Sequence, residues 1–204
     1  LTSLSIMALT HAGVPPDDPA IQAGFSYLES RKLIQSWDIG LYLMALESKY
    51  LPLTDYQNIL EFDEEKARKE IASKISSKDK ATAQALVDLL MALQGKGGGF
   101  GYADPGNENI QTTQYAVLGL KAASRLGVSV PLRVWNEVVR YLGSSYLSSD
   151  QSSIVKIVYF DGVESQRASV EYGWGYTSRK SGQSITQKYM LTNGTRVMSA
   201  LACI

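Results

Sequence analysis

Four polar side chains stand near the starts of two apolar helical segments and are the first candidates for ligand contacts. Gln111, Gln114 and Tyr115 open a segment that extends to about residue 126, and Gln187 opens one that extends to residue 204. The first backbone N–H groups of a helix have no partner within it and carry partial positive charge, so they attract anions. These side chains can therefore hold a ligand, or they can satisfy one another and the backbone. The sequence leaves both interpretations open.

The composition disfavours several classes of function. Cys203 and His11 are the only cysteine and histidine, which is too few for a structural zinc site built from those residue types. Lys plus Arg and Asp plus Glu number 20 each, so no basic surplus is present to bind a nucleic acid. No apolar run reaches the roughly 18 residues that a membrane-spanning helix requires. No G-x-S-x-G elbow occurs, and the glycines at 97–99 lack the Lys-Ser or Lys-Thr of a phosphate loop.

Two kinds of predicted helix alternate along the chain. Helices of the first kind are apolar on most sides, which predicts that they are buried: 1–12, 37–50, 109–126 and 185–204. Helices of the second kind are apolar on one face only: 17–30, 81–94 and 131–142. Short connections within each pair predict antiparallel neighbours. The pattern therefore predicts an all-α fold in which an outer ring of helices surrounds an inner ring, that is, an α/α toroid or part of one.

Two segments depart from this alternation. We interpret the charged helix at 62–77 as part of a surface insertion at about 54–79, with an apolar stripe at Phe62, Ala67, Ile71 and Ile75. Residues 154–160 and 168–172, with the turn signal Asp161-Gly162 between them, predict a small β-hairpin in a second insertion at 148–170. The chain lacks a starting Met and ends within an apolar pattern. We expect residues 1–204 to be a single domain of a longer chain.

At this level the chain resembles the α/α-toroid repeats of squalene cyclases, related terpenoid cyclase-like bacterial proteins and protein prenyltransferases. Gln94, Gly98 and Phe100 fit the cyclase repeat pattern Q-x3-G-x-W, with Phe in place of Trp. The segment GGGFGYADPGNENIQTTQYAVLGL is similar to the glycine loop and inner helix of the prenyltransferase β subunit. The segment TSLSIMALTHAGVPPDDPAIQAGFSYLES looks like a pair of inner and outer helices. The resemblance spans most of the chain apart from the two insertions.

The resemblance also implies an enzymatic reaction. At the matching positions of this chain, however, several of the zinc ligands and acidic groups that these reactions require are missing. Prenyltransferases bind zinc through Asp, Cys and His, and Thr112 stands where the family has its His, so we expect no metal and no other cofactor. Class II cyclases protonate an alkene with an Asp-x-Asp-Asp cluster at the start of an inner helix. In QSWDIGLYLMAL only Asp38 matches that cluster, and Trp37 stands in place of another carboxylate. Asp38 is thus the one catalytic candidate, or a helix cap.

Several aromatic residues are further candidates for ligand contacts. By analogy with the cyclases, an apolar pocket would be lined by Trp174, Tyr176, Phe100 and Tyr102, and Trp37 would lie near it. The alternative is that these rings only pack helices together.

Three hypotheses for function follow from these features. The first is a toroid domain without a recognisable acid cluster or zinc site that binds a protein partner or an apolar small molecule. The second is a terpenoid cyclase or prenyl-group enzyme whose catalytic residues lie partly outside this chain. The third is a structural interaction module that uses the hairpin at 148–170 as its contact surface. The sequence leaves the localisation and the oligomeric state undetermined.

Overall fold

The computed structural model describes residues 1–51 and 63–147, together with the backbone of 152–158, 164–170 and 173–174. The described helices are α1 Thr2–His11, α2 Pro19–Ser30, α3 Ser36–Ser48, α4 Glu64–Lys74, α5 Ser77–Leu93, α6 Ile110–Arg125 and α7 Leu132–Ser145. The described strands are β1 Tyr146–Leu147, β2 Ser152–Val158, β3 Glu164–Val170 and β4 Gly173–Trp174. The core is formed by helices, as an all-α fold requires. None of the described helices has the length and apolar character needed to cross a membrane.

The short strands form two antiparallel pairs. β1 pairs with β4, and β2 pairs with β3 so that Val158 lies opposite Glu164. The residues that would form the turn between β2 and β3, including Asp161-Gly162, lie outside the described residues. The β-hairpin insertion therefore stays a prediction, as do the predicted inner helix at 185–204 and the closure of a toroid.

The local sequence explains where the helices begin and end. Asp18 caps α2 by accepting a hydrogen bond of 2.8 Å from the N–H of Ala20, and Pro19 occupies the first helical position. α1 is followed by Gly13 with a φ of 86°, and α6 by Gly127 with a φ of 80°. These left-handed conformations are accessible to glycine at little cost, so both residues end their helices as predicted.

The start of α5 is anchored to the end of α3 by a network around one buried carboxylate. We predicted the start at residue 81, which is too late, because Ser76 caps the helix by accepting a 3.0 Å hydrogen bond from the N–H of Asp79. The Asp79 carboxylate lies 2.6 Å from the ammonium of Lys49 and accepts a hydrogen bond from the hydroxyl of Tyr50. Burial alone would raise the pKa of Asp79, but these two donors outweigh it and hold the pKa below its usual value.

Helices α1, α3 and α6 run in the same direction. The hydroxyl of Thr10, near the end of α1, donates a 3.0 Å hydrogen bond to the hydroxyl of Ser48 at the end of α3. The last residue of α6, Arg125, forms an ion pair with Glu47 in the last turn of α3. The earlier parts of the helices also lie side by side, since Thr2 of α1 and Asp38 of α3 line one cleft and Gly40 of α3 lies against Tyr115 of α6. The three helices are therefore parallel. This is the arrangement that alternating inner and outer helices require of the inner ones.

The interface between α3 and α6 is the most extensive in the described structure. The two helices cross at Gly40 and Gly119, and a Cβ atom added to Gly119 would lie 2.5 Å from the Cα atom of Gly40. A Cβ atom added to Gly40 would lie 2.2 Å from the carbonyl oxygen of Tyr115. Only two residues without side chains allow the backbones to approach this closely.

Two predictions of burial are wrong. We expected α1, which is apolar on most sides, to be a buried helix, but Leu4 and Leu9 are 45% and 36% exposed, because among the described helices only α2 and α3 pack extensively on α1. We expected Val139 to lie in the apolar stripe of α7, but it is 68% exposed. In both helices the sequence supplies more apolar surface than the described neighbours cover.

The charged helix α4 packs more closely than a purely superficial insertion would. Its predicted apolar stripe is confirmed at Ala67 and Ile71, which are buried, while Ile75 is partly buried against the core. Phe62 lies outside the described residues. Glu64 at the start of α4 lies 3.4 Å from the guanidinium of Arg125, so α4 is joined to the carboxyl end of α6.

Candidate functional site

A cleft of about 450 Å³ lies between the start of α1, the end of α2, the linker 31–35 and the start of α3. Its volume falls within the range of small-molecule sites, roughly 300–1,000 Å³. Both apolar and polar residues line it, and they are Leu1, Thr2, Ser3, Tyr27, Leu28, Arg31, Lys32, Leu33, Ile34, Gln35 and Asp38. The linker 31–35 contributes about half of this surface, so the cleft depends on how the linker joins two helices.

Three charged side chains line the cleft, and their charges sum to one positive unit. Arg31 and Lys32 are exposed cations at the end of α2, and Asp38 is a partly exposed carboxylate in the first turn of α3. Within residues 1–51 and 63–147, none of the three forms an ion pair. The guanidinium carbon of Arg31 lies 5.7 Å from the ring centroid of Tyr27, a cation–π distance. This contact holds the guanidinium group at the edge of the cleft.

Asp38, the catalytic candidate named from the sequence, lines the cleft, and its catalytic role stays a prediction. The start of α3 has no side-chain cap, because the amide oxygen of Gln35 accepts a hydrogen bond from the indole N–H of Trp37 instead. A carboxylate in an uncapped first turn is stabilised by the helix dipole. Among the cleft-lining residues Asp38 is the sole acid. An acid cluster of the cyclase type needs further carboxylates, so the cleft described here does not contain one.

Trp37 and Tyr102 lie at the same end of the molecule but do not line the cleft. The backbone N–H of Ser36 donates a 2.8 Å hydrogen bond to the carbonyl of Tyr102, and the Ser36 hydroxyl donates to the carbonyl of Gly101. The start of α3 is thereby fixed to the loop that precedes α6. The Tyr102 side chain is 48% exposed.

The three candidates at the start of α6 share one side of that helix. Gln111 and Gln114 are partly buried, and Tyr115 is 37% exposed. None of them lines the cleft. Of the remaining candidates, Trp174 belongs to strand β4, and Tyr176 and Gln187 lie outside the described residues. The ligand contacts predicted for Trp174, Tyr176 and Gln187 stay predictions.

Thr112, the residue at the position of the prenyltransferase His, has a structural role. It is buried, and its hydroxyl donates a hydrogen bond to the carbonyl of Phe100. The neighbouring hydroxyl of Thr113 accepts a 2.9 Å hydrogen bond from the N–H of Phe100. Phe100 itself is fully buried. Both threonines therefore hold the glycine loop against α6, and Phe100 packs in the core and is not among the residues that line the cleft.

Gln94 connects the glycine loop to α7. Its side-chain amide donates hydrogen bonds of 3.0 Å to the carbonyl of Gly98 and 3.1 Å to the carbonyl of Val134. One amide group thus satisfies two carbonyls from different elements. This geometry gives a physical role to the Gln94 and Gly98 positions of the repeat pattern.

In residues 1–51 and 63–147, no group of three or more His, Cys, Asp or Glu side chains is placed to hold a metal ion. The pKa of His11 is lowered by burial, and the nearby charge of Glu47 opposes that effect. His11 therefore belongs to the charged network at the carboxyl ends of the parallel helices and is remote from the cleft.

The cleft cations, Arg31 and Lys32, are the residues that sequence reasoning missed. They lie in a linker, where no hydrophobic period marks them, and a pair of basic residues is most often a solvated surface. The available signal was their position directly between two predicted helices and six to seven residues before Asp38.

Comparison of the chain with protein-family models, curated proteins and solved structures gives no match.

Proposed function

We propose that this chain is an α/α-toroid domain, whole or partial, of the squalene cyclase and prenyltransferase type that binds a ligand and does not convert it. The parallel course of α1, α3 and α6 supports the architecture. The bridge from Gln94 to Gly98 supports it too, since it gives the repeat pattern a structural purpose. The binding role rests on the cleft beside α3, which has the volume of a small-molecule site and one carboxylate in its lining.

The cleft suits a small molecule with an apolar part. Leu28 and Leu33 form its buried and partly buried apolar surface, and Tyr27 and Ile34 are 51% and 53% exposed at its edge. Large exposed apolar residues that surround a concave site lose their contact with water when a ligand covers them. The lone Asp38 has no second acid beside it in the described cleft, and this distinguishes a binding site from an acid cluster.

Incubation with radiolabelled squalene and farnesyl diphosphate tests the proposal. The expected result is recovery of both compounds unchanged, with saturable retention of at least one apolar compound by the protein. Formation of a cyclised or transferred product that disappears in Asp38→Asn would overturn the binding role.

The second candidate function is an enzyme that acts on isoprenoid compounds, with some catalytic groups outside this chain. The observation that favours it is the position of Asp38, which lies in a cleft at the start of a helix. The same incubation separates the two candidates, because only the enzyme requires the Asp38 proton.

A further inference from the structure

We propose that the ligand of the cleft carries a carboxylate on an apolar body, and that Arg31 and Lys32 bind the carboxylate. This inference rests on the proposed function, because it assigns a chemical class to the ligand of the same cleft. The side chains of Arg31, Lys32 and Asp38 leave one excess positive side-chain charge at the cleft. A singly charged anion neutralises that excess.

The chemistry of Arg31 favours a planar anion. A guanidinium group presents parallel N–H donors that match the two oxygens of a carboxylate. The Tyr27 ring lies within cation–π distance of the guanidinium, which forms no ion pair with an acid of the described residues. Less conformational entropy is lost on binding when the donor is already positioned.

The remaining lining accounts for the apolar body. Leu28 and Leu33 lie beneath the exposed edge formed by Tyr27 and Ile34. An apolar chain that extends from the carboxylate across Ile34 would remove this surface from water. Asp38 repels an anion and attracts a cation. Its charge therefore directs the carboxylate of the ligand away from the start of α3 and toward Arg31 and Lys32.

Titration calorimetry with four octyl compounds tests the inference on the full chain at low salt and at about 150 mM salt. The compounds are octanoate, octyl phosphate, octanol and octyltrimethylammonium. Octanoate is expected to bind most tightly, and its affinity should fall as the salt concentration rises. Arg31→Gln and Lys32→Gln should each lower the affinity for octanoate about tenfold, as expected for loss of a hydrogen bond to a charged group.

Two further variants act on other parts of the cleft. Asp38→Asn should raise the affinity for octanoate roughly two- to fivefold, because it removes a repulsion between partly exposed charges. Ile34→Ser should weaken octanoate and octanol equally, by roughly fivefold. Arg133→Gln and Leu132→Ser are the matched controls, since both residues are exposed on α7 and do not line the cleft. Neither control should change any affinity.

Each alternative outcome has a defined meaning. If octanol binds as well as octanoate and Arg31→Gln has no effect, the carboxylate inference is wrong and the binding function stands. If octyl phosphate binds more tightly than octanoate, the choice of a singly charged anion is wrong. If octyltrimethylammonium binds best and Asp38→Asn weakens its binding, the inferred negative charge of the ligand is wrong. If no octyl compound binds, both the inference and the placement of the binding function in this cleft are wrong.

Discussion

Replacement of Gly40 by alanine tests the close crossing of α3 and α6. The new Cβ atom would lie 2.2 Å from the carbonyl oxygen and 2.7 Å from the carbonyl carbon of Tyr115. Both are backbone atoms of a helix, which cannot rotate aside as a flexible side chain can. The helices must therefore move apart by about 1 Å, and the surrounding buried side chains of both helices lose contact.

The expected loss follows from two opposing contributions. Alanine favours a helix over glycine by about 1 kcal/mol, while forced separation of a packed interface costs typically about 1–3 kcal/mol and occasionally more. Because the obstructing atoms are backbone, we expect the larger cost, and a net destabilisation of about 2 kcal/mol. Urea unfolding followed by circular dichroism measures this change in the free energy of unfolding.

The chain offers a matched control in Gly143, which also lies within a helix. A Cβ atom added there meets no atom within 4 Å. Gly143→Ala should therefore leave stability unchanged or raise it by up to about 1 kcal/mol. Gly119→Ala should destabilise the protein as Gly40→Ala does, and the double variant should lose less than the sum of the two. If Gly40→Ala and Gly143→Ala have the same stability, the close crossing is refuted.

Two further predictions concern the buried ion pairs. The native pKa of Asp79 is depressed, so its contribution to stability is complete above its unfolded pKa of about 3.9 and is lost as the pH falls through the native pKa. Asp79→Asn should lower the free energy of unfolding by about 2 kcal/mol at pH 7. At a pH at which Asp79 is protonated in the native protein, the substitution should leave this free energy unchanged. Urea unfolding between pH 2 and pH 7 measures this, and an equal loss at all pH values would contradict it. Arg125→Met should cost about 3 kcal/mol, because it leaves the largely buried carboxylate of Glu47 unpaired. The double variant Arg125→Met, Glu47→Met should regain most of that loss in thermal unfolding, and no recovery would contradict the pairing.

Sequence reasoning identified the helices because each has a local signal. The Asp18-Pro19 start of α2 and the glycines after α1 and α6 act through their own backbone conformations and need no distant partner. Ser76 was missed as the cap of α5 because it lies in a polar run in which several residues are equally able to cap a helix. Local signals of this kind identify elements better than they place boundaries.

Burial and the candidate site depend on distant residues and were harder to predict. α1 carries small and apolar residues around most of its circumference, so its sequence does not distinguish the side that packs on α3 from the side that carries Leu4. The cleft forms where the start of α1 meets a linker and the first turn of α3, and no periodic pattern extends across such a junction. Asp38 was named as a candidate because of its place in a sequence motif, whereas Arg31 was recognised as a cleft residue only in the structure.

The hydrogen bonds from Ser36 to the loop before α6 have a consequence for biosynthesis. The Ser36 hydroxyl and its acceptor at Gly101 are separated by 65 positions in the chain. The segment from Ser36 to Gly101, and then α6, must therefore be synthesised before the beginning of α3 finds its partner and α6 covers its apolar side. Until then the apolar side of α3 is exposed to water or to a chaperone, and this interval of translation favours aggregation of the nascent chain.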